Sequence, residues 1–121
     1  MVAESIMAEF IQLPDMRMHG STKWELLTDC VYQSDLSDAP YIVPAGTITD
    51  LASIPQIFRS LIPQNDKHRP AAIVHDYLVH TIKRSKADRI FLEAMKVCGV
   101  PAWKRWSMYL AVALMTVFKR G

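Results

Sequence analysis

Residues 69–80 constrain this chain more than any other stretch. They read Arg69-Pro70-Ala71-Ala72-Ile73-Val74-His75-Asp76-Tyr77-Leu78-Val79-His80. Proline suits the first turn of a helix, where its missing N–H costs nothing, and Ala-Ala-Ile-Val then starts an apolar helix that carries His75-Asp76 in its interior. Buried His and Asp cost several kcal/mol unless they are hydrogen-bonded or bind an ion. The rest of the fold therefore has to supply their partners.

On that helix Ala71, Val74, His75, Leu78 and Ile82 follow i, i+3, i+4, i+7 spacing and share a face, so His75 points into apolar surroundings. Asp76 lies about 100° further round, in line with Ala72 and His80. The expectation is that His75 faces a neighbouring helix and Asp76 faces the loop at residues 44–55.

With 121 residues, half of them hydrophobic, the chain has material for one core and too little for two ordinary domains. A single domain over 1–121 is expected, β-rich over about 9–55 including the motif loop and helical over 56–118. Short strands are read at Glu9–Leu13 and Met16–Met18, and a longer one at Trp24–Tyr32. The turn-rich 34–40 loop then makes an antiparallel hairpin of Trp24–Tyr32 with Tyr41–Val43. Pro44–Pro55 is a loop of turn formers and small polar residues, and a short helix follows at Gln56–Ile62. The central helix is expected to end near Lys83-Arg84, whose charges suit a helix C-terminus. Ser85 has the spacing of an N-cap with Asp88 as the acidic third residue, opening a helix to Cys98 that stops at Gly99. Pro101 begins the last helix, Ala102 to about Phe118. The fold class is α+β: a small N-terminal antiparallel sheet, then three or four packed helices, the two central ones antiparallel.

Charge and cysteine usage exclude several classes. A net charge of +2 with no dense basic run interleaved with aromatics gives no nucleic-acid prediction. Cys30 and Cys98 fit no zinc-ligand or disulfide-framework spacing and read as buried thiols of a reducing compartment. Glu4 and Glu9 mark an N-terminus without a secretion signal, so cytosolic synthesis is expected. The apolar run Trp106–Phe118 holds 13 residues between Lys104-Arg105 and Lys119-Arg120, whereas a membrane span needs about 20. Its Trp103, Trp106, Met108, Tyr109, Met115 and Phe118 suit core packing, or a surface that docks on lipid or on another protein.

The chemistry rests on a few residues. Asp88 shares an apolar stripe with Phe91, Leu92 and Met95 on the helix after the central one. Helices joined by a short turn pack antiparallel. A contact between Asp88 and His75 would orient the ring and leave its other nitrogen as a general base. Asp76, with Asp50 or backbone carbonyls around Gly46, has the oxygen chemistry to hold calcium. Such a site polarises an ester or amide carbonyl and delivers an activated water. Each residue also has a plain structural explanation. Asp88 completes a capping box, Asp50 and Ser53 brace a turn, Gly46 supplies a positive φ, and Asp76 pairs with His80 on the surface.

Three segments in order, Val43–Pro55, Ala71–Leu78 and Lys86–Met95, resemble a DUF1353-type family of short proteins of unknown function found in tailed bacteriophages and prophages. The likeness covers about residues 24–118 and implies a phage-related product, encoded among virion and lysis genes. The adjacent His-Asp, the preceding glycine-containing loop and the later helical Asp are also similar to the phospholipase A2 class. That likeness implies His75 as base, Asp88 as orienting carboxylate, and Asp76 with carbonyls near Gly46 as calcium ligands. The class's tyrosine one turn after the histidine is Val79 here, the loop has one glycine, and the disulfides are absent.

Two functions are expected from this. One is a calcium-assisted, phospholipase-like hydrolase acting on host membrane lipid or cell envelope during phage entry or lysis. The other is a non-catalytic virion component, of the tail or its assembly, with the His/Asp cluster structural and the C-terminal helix as docking face. The corresponding partners are phage structural proteins, host membrane or envelope, or a second copy of the chain.

Overall fold

The computed structural model describes residues 8–20, 23–49 and 69–120. The short helix read at 56–62 and the loop residues 50–55 lie outside them. Six strands come first: β1 (Glu9–Gln12), β2 (Met16–His19), β3 (Lys23–Leu26), β4 (Cys30–Gln33), β5 (Tyr41–Val43) and β6 (Ile48–Thr49). Among the described residues three helices follow: α1 (Arg69–Leu78), α2 (Arg84–Val97) and α3 (Ala102–Arg120). The architecture is the expected α+β, with antiparallel strands before helices.

The strands form two three-stranded sheets rather than one, in the orders β1-β4-β5 and β2-β3-β6. Trp24–Tyr32 does not run as a single strand. Leu27 N–H donates to the Asp15 carbonyl at 2.7 Å, and the Asp29 carboxylate accepts from Ala45 N–H at 2.7 Å. These bonds hold a bend over residues 27–29 that sends β3 and β4 into different sheets. The anticipated hairpin survives as β4 with β5, registered Cys30↔Val43 and Tyr32↔Tyr41. In the other sheet β3 pairs with β6 through Trp24↔Thr49 and Glu25↔Ile48. That pairing carries Thr49 to the edge of α1.

One core joins these parts. Leu26, Cys30, Tyr32 and Val43 from the two sheets are buried with Ala71, Ile73, Val74 and Leu78 of α1, with Ile90, Phe91 and Met95 of α2, and with Met108 and Val112 of α3. Helix α2 ends as expected at Gly99, whose φ of +83° is costly for residues with a Cβ. Val100 N–H donates to the Met95 carbonyl and Gly99 N–H to the Lys96 carbonyl, both at 3.0 Å, which closes the last turn.

Candidate functional site

Helix α1 ends at Leu78, about a turn short of the expected Lys83-Arg84. Residues 79–83 form the turn, with His80 N–H and Thr81 N–H donating to the Tyr77 and Leu78 carbonyls. The early stop sets the register of the helix pair. His75 is three residues before the end of α1 and Asp88 is four residues after the start of α2, so each lies about 5 Å from the turn along its axis. Antiparallel packing then brings them level.

They touch. His75 Nε2 lies 2.7 Å from Asp88 Oδ1, within a pair that is 1% and 2% exposed at its side chains. The imidazole stacks on Phe91, with ring centroids 4.6 Å apart and an interplanar angle of 27°. A carboxylate at Nε2 holds that nitrogen as a donor and places the lone pair of the neutral ring on Nδ1. His75 Nδ1 is buried and has no hydrogen-bond partner among the described residues. The ring is therefore oriented at one nitrogen and keeps an uncommitted, buried lone pair at the other.

Asp88 does not complete a capping box. The N-cap of α2 is Lys83, two residues before Ser85, and it makes no side-chain capping bond. With Ser85 inside the helix, Asp88 points across to α1 instead.

Asp76, next to His75 but on another line of the helix, faces the motif loop as its angle requires. Its Oδ2 accepts a 2.7 Å hydrogen bond from the Thr49 hydroxyl, and Thr49 is itself buried. Gly46 is in an exposed turn with φ +90°, and its N–H donates to the Leu26 carbonyl at 2.7 Å. That contact ties Gly46 to β3, and among the described residues nothing links it to Asp76. Asp50 lies outside the described residues. Among those described, no group of three or more His, Cys, Asp or Glu is disposed to hold a metal ion. The proposed cation site is represented by one carboxylate and one hydroxyl, short of the six to eight oxygens calcium takes.

Two residues of this neighbourhood were not singled out from sequence. Thr49 sits in the motif loop beside Asp50, and a hydroxyl there is indistinguishable from an ordinary turn residue. Phe91 was legible as the i+3 neighbour of Asp88 on the same stripe, but only the packed helices show that it carries the His75 ring. A separate polar cluster joins β4 to α2: the Tyr32 hydroxyl donates to Glu93 Oε1 at 2.7 Å, and Asp35 N–H donates to Glu93 Oε2 at 3.1 Å.

A 40% identical relative over 94 residues is "Uncharacterized protein y4jT" of Sinorhizobium fredii (strain NBRC 101917 / NGR234). The alignment covers 74% of this chain and 28% of the relative, so the chain spans well under a third of that protein. No solved structure gives a significant match. The family model described as "Protein of unknown function (DUF1353)" matches residues 24–112, a stretch that runs from Trp24 in β3 to Val112 in α3 and includes every described residue of the candidate site. The chain belongs to the DUF1353 family.

Proposed function

We propose that this chain is a phage-type, phospholipase-like hydrolase in which His75 is the general base and Asp88 the residue that orients it. The observation that supports this reading is the asymmetry of the imidazole, bonded to Asp88 at Nε2 and, among the described residues, unpartnered at Nδ1. Leaving a buried acceptor unpaired costs about 1–3 kcal/mol, a cost that a purely structural histidine has no reason to carry. In the proposed reaction, Nδ1 takes a proton from water as the water oxygen bonds to an ester carbonyl carbon. Asp88 stabilises the imidazolium that results. The ring then returns the proton to the leaving oxygen as the ester C–O bond breaks. Membrane lipid or another ester or amide of the host envelope is the proposed substrate class, and entry or lysis the proposed setting. Asp76 is proposed to contribute to a calcium site.

One observation favours a second reading. His75 is fully buried, so substrate reaches Nδ1 only if the wall around the ring moves. In a non-catalytic virion component, of a tail or its assembly, the same pair would serve as a strut pinning α1 to α2.

The test is fatty-acid release from phosphatidylglycerol vesicles by the full chain in calcium, beside His75→Ala and Asp76→Asn, with circular dichroism on each protein. The hydrolase reading expects turnover by the wild type that both folded variants lose, and calcium binding by calorimetry that Asp76→Asn abolishes. A folded wild type that neither binds calcium nor releases fatty acid would move the assignment to the virion component.

A further inference from the structure

Helix α3 is apolar on two opposite sides. Met108, Ala111 and Val112 are buried on the core side. Away from them, Trp103, Trp106, Leu110, Leu114 and Val117 are each at least half exposed. Their spacings of 3, 4, 4 and 3 residues keep them within a stripe about 80° wide and about 21 Å long. Nothing in the core requires large apolar side chains on that outer side. A contiguous apolar stripe facing water marks a surface that meets something.

The charge of α3 identifies what it meets. The helix carries Lys104, Arg105, Lys119 and Arg120 and no acidic residue, while the rest of the chain has ten basic and twelve acidic residues. All of the chain's net positive charge is thus gathered on the element that bears the stripe. A second copy of α3 laid along the first would set four positive charges against four. An anionic surface is instead attracted at both ends of the helix. Lys104 already shows how the cation and the apolar row share the helix, its ammonium lying 5.2 Å from the centre of the Trp103 ring. Among the described residues no helix is long and apolar enough to cross a bilayer. A helix with this distribution lies in the plane of the lipid interface, indole rings at headgroup level and basic side chains against lipid phosphates.

We infer that the outer face of α3 docks the protein on anionic phospholipid membranes, through the Trp103–Val117 stripe and its basic flanks. The inference does not depend on turnover, since binding is read without hydrolysis. It adds to the proposed hydrolase a means of reaching its substrate surface.

The experiment is co-sedimentation of the full chain with phosphatidylcholine vesicles, with and without phosphatidylglycerol, in calcium-free buffer, together with tryptophan emission. Anionic vesicles are expected to bind more than about tenfold better than pure phosphatidylcholine, and the difference should shrink as salt is raised. Emission should shift to the blue on binding as Trp103 and Trp106 leave water. The pair Trp103→Ser and Leu110→Ser, both on the exposed side, should abolish binding without changing the circular dichroism spectrum. Lys104→Glu with Lys119→Glu should remove the preference for anionic lipid. Equal affinity for the two vesicle types, or binding that survives the Trp103→Ser and Leu110→Ser pair, would overturn the inference. So would a lipid-free dimer that the same pair dissociates, because the occupant of the stripe would then be a second copy. Vesicle binding without fatty-acid release would keep the docking surface and count only against the hydrolase.

Discussion

The two ring nitrogens of His75 meet opposite surroundings, one held at 2.7 Å by Asp88 and the other buried without a partner among the described residues. Spacing already placed His75 in apolar surroundings and Asp88 on the facing stripe; their contact depended on where α1 stops. Other buried groups give the protein a defined response to alkali. Burial foremost, and the neighbouring Cys98 thiol next, push Cys30 up from 9.0 to about 12. Tyr32 is raised above its ordinary 10.0 by burial first, and then by Glu93, which accepts a hydrogen bond from its hydroxyl. Both groups hold their protons to higher pH in the fold than in the unfolded chain. The unfolded state therefore binds fewer protons once pH passes about 9, and stability is lost from there up through about 12. Urea midpoints should fall between pH 9 and 11 on this account, and Cys30→Ala should flatten the slope. A midpoint that holds steady across that range would contradict the burial of these two groups.

At the scale of elements, the helix ends decide the geometry of the site. The stop of α2 at Gly99 was readable, because a residue at φ +83° favours glycine wherever it occurs. A Cβ added there meets nothing within 4 Å, so Gly99→Ala carries a backbone penalty alone. We expect it to cost about 1 kcal/mol in chemical denaturation, with α2 and α3 otherwise unchanged. An unaltered midpoint would mean that the turn tolerates another conformation. The start of α2 was not readable. Ser85 and Asp88 have the spacing of a capping box, yet Lys83 takes the cap and Asp88 is drawn to His75. A local capping bond and a buried bond between helices compete for one carboxylate, and only the packed helices show which is made.

For the molecule as a whole, residues from both sheets and the three described helices contribute to one buried cluster. A shared core makes partial opening expensive, so one cooperative transition is expected. Far-ultraviolet circular dichroism, which follows the helices, should coincide in urea with the fluorescence of Trp24 in β3, which lies 4.6 Å beneath the Arg69 guanidinium of α1. To read that signal alone, the comparison is made with Trp103 and Trp106 replaced by Phe. Separate midpoints would divide the sheets from the helices and contradict the single domain expected over 1–121. At this scale α3 plays two parts, closing the core with Met108 and Val112 while turning Trp103, Trp106 and Leu110 outward.

The sequence by itself determined the α+β order, the three described helices, the β4–β5 hairpin, the divergent directions of His75 and Asp76, and membership in a family of unknown function. These follow from helical period, turn chemistry and ordered motifs, all of which act over a few residues. Only the tertiary structure decided that Trp24–Tyr32 divides between two sheets, that α1 stops at Leu78 so that Asp88 comes level with His75, and that Thr49 reaches Asp76. Each of those outcomes is a competition between a local preference and a bond to a distant residue: Asp15 and Ala45 at the strand bend, His75 for Asp88, Asp76 for Thr49. Local spacing carries no term for the distant bond, which exists only once the two sheets and the helices enclose a common core.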